Sequence, residues 1–165
     1  MQLVRLLYFS RNRLAQFGEP IADRLAELIG AGMAHNQRDR ITGLLVYDEN
    51  WFVQALEGEA AAVSHSFERI LRDPRHGEVT LTTMRPVATR RYGSTPLAAI
   101  ARGEDNAAIF RQYAEGSGFD PRLMPADRLA YLVEALLQDA ARCPRKSRSA
   151  FRGTAWTIGN ATNAA

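Results

Sequence analysis

Ile41-Thr42-Gly43-Leu44-Leu45-Val46-Tyr47-Asp48-Glu49-Asn50-Trp51-Phe52-Val53-Gln54-Ala55-Leu56-Glu57 is the stretch from which the fold can be read. Two runs rich in β-branched and aromatic residues, 41–47 and 51–57, flank the short turn Asp48-Glu49-Asn50, the pattern of an antiparallel hairpin. Upstream, Pro20 can open a helix because its missing N–H falls among the donors that a helix start leaves free. Ile21, Leu25, Leu28 and Ile29 then recur at i, i+4, i+7 and i+8, which predicts an amphipathic helix ending near Met33. Before it, Leu3 to Phe9 sets Val4, Leu6 and Tyr8 on one face and Leu3, Leu7 and Phe9 on the other, interrupted by Arg5, as in a strand inside a sheet.

Downstream of the hairpin, Val63, Phe67, Ile70 and Leu71 predict a second helix, and Asp73-Pro74 disfavours helix beyond Arg72. Val79 to Val87 alternates Thr with apolar residues as a fourth strand, and Pro96 to Ala101 predicts a fifth. Because Pro96 cannot donate to a ladder, that strand belongs at an edge or is irregular. The order β-α-β-β-α-β-β is that of an α+β, ferredoxin-like sandwich with both helices on one sheet face. Ala107 to Ala114 and Ala126 to Ala141 are separated by Gly116-Ser117-Gly118. The second places Leu129, Leu132, Val133, Leu136 and Leu137 on one side. They predict a C-terminal helical cap on the sheet face that the first two helices leave open. The expected divisions are residues 1–102 for the sandwich, 103–143 for the cap and 144–165 for a tail.

The chain has 165 residues, 46% of them hydrophobic, enough for one core without staples. Cys143 has no second cysteine to pair with, and no secretion signal is evident, so the expected setting is the reducing cytoplasm. No apolar run approaches the roughly 18 residues that a membrane span needs. The net charge of +3 is unevenly placed. Five of the 21 basic residues (Arg142, Arg145, Lys146, Arg148, Arg152) follow residue 141 with no acidic ones, so residues 1–141 hold 16 basic against all 18 acidic. The basicity belongs to a Ser/Thr/Asn/Gly/Ala-rich tail without apolar periodicity, expected to be flexible.

No phosphate-cradling glycine loop, zinc spacing, nucleophile elbow or framed carboxylate pair is present, so neither a metal site nor an enzymatic activity is expected. His35, His65 and His76 fit no metal motif and read as surface or hydrogen-bonding histidines. What stands out is polarity on strand faces that should be apolar. Gln54 lies between Phe52 and Leu56 on one face, and Tyr8 brings a hydroxyl to the first strand. A core pair that satisfies itself and a pair that faces a ligand with its own donors and acceptors both fit this pattern.

Arg5-Leu6-Leu7-Tyr8-Phe9-Ser10, then Asn36, Ile41 to Tyr47, Phe52-Val53-Gln54-Ala55-Leu56-Glu57-Gly58, and Arg69-Ile70 leading to Asp73-Pro74-Arg75-His76 resemble, in order, the BLUF family of flavin-binding blue-light sensors. The resemblance runs from about residue 3 to 100, with Ile-Thr-Gly-Leu-Leu and Gln-x-Leu-Glu-Gly as its specific parts. Ser117-Gly118-Phe119 before the last helix resembles short stand-alone members. The resemblance implies FAD, with FMN or riboflavin as possible substitutes, held between the two long helices. It makes Tyr8 and Gln54 the photoactive pair, through electron and proton transfer from the phenol and hydrogen-bond rearrangement of the amide. It has Asn36 pair with the ring N3–H and a carbonyl, and Arg69 donate to the other carbonyl. His35 falls at a neighbouring position often occupied by asparagine. Ile41, Leu44, Phe52 and Ile70 are candidate apolar walls and equally plain core. Arg75 and His76 match an Arg-His pair near the cofactor and equally a solvated surface. The implied output is a signal to a downstream protein partner or a change of assembly, in a protein of a type that forms homo-oligomers.

One segment departs from the family. Where many members read Arg-x-Phe-x-x-Trp-x-Met, this chain reads Arg90-Arg91-Tyr92-Gly93-Ser94-Thr95-Pro96-Leu97. Thr95 and Leu97 thus occupy the positions of the usual signal relay. Two other functions compete. A nucleic-acid-binding module of the same element order needs exposed stacking aromatics on its central strands, for which Trp51 and Phe52 are the candidates. A small phosphate-processing enzyme needs an anion-cradling loop after the first strand, where Arg11 and Arg13 lie without its glycines.

Overall fold

The computed structural model describes residues 2–18, 20–114 and 118–142. Cys143, Gly116, Ser117 and the basic tail lie outside the described residues. The strands are β1 (Leu3–Asn12), β2 (Thr42–Tyr47), β3 (Trp51–Glu59), β4 (His76–Pro86) and β5 (Ala98–Ala101). The helices are α1 (Ile21–Arg38), α2 (Ala60–Arg72), α3 (Ala107–Tyr113) and α4 (Ala126–Arg142). The sheet order is β4-β1-β3-β2-β5, with β1, β3, β2 and β4 antiparallel to their neighbours and β5 parallel to β2 at the edge. This is the ferredoxin-like order with one strand added beside β2.

The hairpin that organises the sheet depends on Gly43. It faces Leu56 across the ladder, and a Cβ there would lie 2.5 Å from the Ala55 carbonyl oxygen. No other residue permits that approach of two backbones.

Alternation along the strands separates two interiors. Val4, Leu6, Tyr8, Leu45, Tyr47, Phe52 and Leu56 face α1 and α2. Leu7, Phe9, Leu44, Val46, Trp51, Val53 and Ala55 face the other way, into one cluster with Phe110, Phe119, Leu129, Leu132, Val133 and Leu136. The cap therefore covers the face that α1 and α2 leave open. Fully burying one such leucine contributes roughly 1.5–3 kcal/mol.

Several boundaries differ from the sequence reading, and β1 and β3 run on to Asn12 and Glu59. β4 begins at His76 rather than Val79, and β5 begins at Ala98, two residues after Pro96. More consequentially, α1 runs to Arg38 and not to Met33. Apolar periodicity stops at Met33, yet Ala34-His35-Asn36-Gln37-Arg38 contains no breaker, and these residues tolerate helix well enough to extend it. It closes at Arg40, whose φ of 54° is the left-handed conformation of a helix stop. The Arg40 and Ile41 N–H groups donate to the Gln37 and Asn36 carbonyls (3.3 and 2.8 Å).

Candidate functional site

On the face covered by α1 and α2 the apolar side chains form two clusters instead of one. Leu25, Leu28 and Ile29 of α1 pack with Leu45, Tyr47, Phe52 and Leu97. Val63, Phe67 and Ile70 of α2 pack with Leu6, Tyr8, Ile41 and Leu56. The seam between them runs over the β1–β3 pair, where Tyr8 stands directly opposite Gln54.

There the Tyr8 hydroxyl donates to Gln54 Oε1 at 2.5 Å, with Tyr8 wholly buried. Burial pushes the Tyr8 phenol far above its ordinary range, and the nearby Asp73 carboxylate adds to this. The hydroxyl is thus favoured in its neutral, donating form. Phe67 lies 5.4 Å from it, ring to ring, and His76 lies 6.2 Å away. His76 Nδ1 shares a hydrogen bond with the buried Ser10 hydroxyl (2.9 Å), and its ring stands 4.9 Å from Phe52. Burial pushes the His76 pKa down to about 4, so the imidazole is neutral near pH 7. His76 is buried in this structure and not solvated, because β4 starts early enough to carry its ring beside Tyr8 and Phe52.

Asn36 sits on the last turn of α1, buried, and its Nδ2 donates to the Pro96 carbonyl at 2.9 Å. Arg69, on α2, donates through Nη2 to Asp39 Oδ2 (2.9 Å), while its Nη1 is buried without a partner. Phe17, Arg69, Arg72, Asp73, Pro74 and Arg75 line an open depression. Arg75 is half-buried there, tied to the Asp73 carboxylate by Nε and Nη2 (2.9 and 2.6 Å).

Two predicted site residues are not brought to the seam. Leu44 points into the cap cluster, because residues of one strand alternate faces and its neighbour Leu45 takes the inner side. His35 is exposed on α1, one residue from the buried Asn36 and so rotated away by the helical step. Ile41, Ile70 and Phe52 do face the helices. Leu97 is buried against Leu25, Leu28 and Phe52, and Thr95 is half-buried. The aromatics that a nucleic-acid-binding sheet would expose are covered: Trp51 lies under the cap and Phe52 under α1. Sequence reasoning missed Asp39, which lies beyond the expected end of α1, and the Pro96 carbonyl, a backbone group with no sequence signal.

The donor set suits a flavin. An unpaired buried guanidinium N–H, a buried carboxamide and a phenol–amide pair are the donor and acceptor types that a flat ring with carbonyls and an N–H on one edge would need. Among the described residues no cluster could hold a metal ion, and no helix is long and apolar enough to cross a membrane.

Known proteins agree. The family model described as sensors of blue-light using FAD matches residues 3–98. The photoactivated adenylate cyclase subunit alpha of Euglena gracilis is 36% identical over 110 residues, 66% of this chain and 10% of that protein. The chain thus spans about a tenth of the length of the curated relatives it matches. Among solved structures, the photo-activated state of BlsA superposes with a TM-score of 0.74 at 26% identity, covering 82% of this chain and 94% of that one. The dark state of BlrB superposes at 0.64 and 27%, covering 82% and 97%.

Proposed function

Because the chain belongs to the BLUF family, the sensors of blue light using FAD, we propose that Tyr8 and Gln54 are its photoactive pair and that it signals without acting on a substrate. The observation that carries this reading is the 2.5 Å bond from the Tyr8 hydroxyl to Gln54 Oε1, buried at the seam between α1 and α2. When bound, the flavin supplies a blue-absorbing chromophore whose excited state is an oxidant. Tyr8 is held as the neutral phenol in its buried setting, and a phenol that loses an electron becomes a strong acid, so it can supply an electron and a proton. Gln54 Oε1 is the acceptor in line with that proton. A carboxamide has a donor end and an acceptor end, so its rotation or tautomerisation leaves the same atoms with a different hydrogen-bond pattern. Asn36 and Arg69 would hold the carbonyl and N3–H edge, and Ile41, Ile70 and Phe52 would wall the ring. Arg75 and His76 stand behind them, Arg75 at the mouth and His76 on Phe52.

The change leaves the site through residues 87–97. Asn36 holds the Pro96 carbonyl, and Leu97 shares an apolar cluster with Phe52, so backbone and leucine, with Thr95 before them, stand where the family's tryptophan and methionine act. The other end of this loop reaches the cap. Glu57 Oε2 accepts the Arg91 and Tyr92 N–H groups (2.8 and 3.1 Å), and Arg91 pairs with Glu134 of α4 (3.1 Å). The cap, residues 103–143, is the output surface for a partner protein or a second copy, in the cytoplasm.

The test is spectroscopic. The FAD-loaded chain should shift its flavin bands slightly to the red under blue light and recover in darkness. Tyr8→Phe and Gln54→Leu should each keep the flavin and abolish the shift. A normal shift in either variant would refute the pair.

A further inference from the structure

We infer that Asp39 is a positioning residue for the flavin edge, acting through Arg69; this rests on the reading of Arg69 as the donor to a ring carbonyl. Asp39 closes α1 three residues after Asn36, so both lie on the same side of the final turn. Its backbone N–H donates to the His35 carbonyl (3.0 Å), which fixes the root of the side chain. Its carboxylate is held by Arg38 (Nε to Oδ1, 2.7 Å; Nη2 to Oδ2, 3.0 Å) and receives Arg69 Nη2 on Oδ2 at 2.9 Å. These cations keep the Asp39 carboxyl down at about 2, so it is a full charge at any working pH.

A guanidinium is planar and rigid, so tying Nη2 sets the direction of Nη1. In Arg69 that second arm is buried and unpaired, the state of a donor prepared for a ligand acceptor. Asp73, the acid that lines the depression beside Arg69, is occupied by Arg75 and offers no substitute anchor. Without Asp39 the Arg69 head would regain its rotamer freedom toward the open mouth where Arg72 and Phe17 lie. One turn of α1 therefore supplies both halves of the edge recognition: Asn36 directly, and Arg69 by way of Asp39.

The experiment is a set of FAD titrations on the full chain carrying Arg69→Ala, Asp39→Ala, both together, and Asp39→Glu, with infrared carbonyl bands of the bound flavin in the dark. Arg69→Ala is expected to weaken binding about 10- to 100-fold, the usual cost of a charge-assisted hydrogen bond. Asp39→Ala should lose about 10-fold and move the same carbonyl band, and the double variant should bind no more weakly than Arg69→Ala alone. Asp39→Glu, which restores the carboxylate, should return the band toward its original position. An Asp39→Ala chain that melts earlier yet keeps its affinity and carbonyl band makes Asp39 a mere strut between helices and overturns the inference. Arg69→Ala without effect on affinity or band would instead overturn the reading of Arg69, and the inference with it. Should Asp39→Ala not fold, Asp39→Asn, which keeps the shape and loses the charge, is held to the same two criteria.

Discussion

The two faces of the sheet solve different problems with the same alternating strands. On the cap face, aliphatic and aromatic residues close into one continuous cluster from Leu7 to Leu136. Its buried charges are mutually satisfied: Arg5 Nε donates to the fully buried Glu57 at 2.7 Å, and Glu57 spends its second oxygen on two loop N–H groups. On the helix face the apolar residues divide into two clusters, and Arg69 Nη1 and Arg24 Nε on its helices are buried and unpaired. The closed face holds the molecule together, whereas the divided face carries the Tyr8–Gln54 bond proposed to meet the flavin.

This contrast can be broken from either side. The largest expected effect lies on the closed face: Glu57→Ala leaves the Arg5 charge only its 3.9 Å contact with Glu134, and removing one partner of a buried pair costs about 3–5 kcal/mol. Urea denaturation measures it, and a loss under about 1 kcal/mol would show that water reaches Arg5. Leu132→Ala should cost about 3 kcal/mol through the cavity it opens and leave the dark flavin spectrum unchanged; a shifted spectrum would mean the two faces are not independent.

Acid sharpens the comparison on the helix face. His76 is neutral in the folded protein, with its pKa pushed down to about 4 from an unfolded value near 6.5. Its contribution is therefore fully present above about pH 6.5 and is lost as pH falls toward 4, in total about 3 kcal/mol. Stability curves at several pH values should show this slope, and His76→Gln should flatten it. The smallest effect is that of Arg91→Gln, which removes a half-exposed pair with Glu134 worth at most about 1 kcal/mol. Its informative readout is the light response. The red shift should persist with dark recovery changed, because coupling between loop and flavin site is reciprocal; unchanged recovery would remove Arg91 from the output path.

Much of the site was legible in local pattern. Gln54 between Phe52 and Leu56 betrayed a polar group on an inner face, and period-two alternation put Tyr8 on the matching face of β1. The same rule, applied strand by strand, would have sent Leu44 to the cap side. His35 and Asn36 were adjacent in the chain, and only the continued turn of α1 separated the exposed ring from the buried amide. Asp39 was illegible because its role depends on Arg69, thirty residues away on another helix. Pro96 was noticed for the N–H it lacks, while its bond to Asn36 uses the carbonyl that every residue carries.

By itself, then, the sequence determined the strand and helix order, the inner and outer faces of the strands it patterned clearly, and the pair Tyr8 and Gln54 with the family motifs around them. These follow from periodicities of two and 3.6 residues, which are local properties of the chain. Only the tertiary structure decided that the helix face is divided while the cap face is closed, that His76 is buried against Ser10, and that Arg69 donates to Asp39. Such facts are contacts between segments distant in sequence, set by how helices settle on a twisted sheet, and no local pattern carries them.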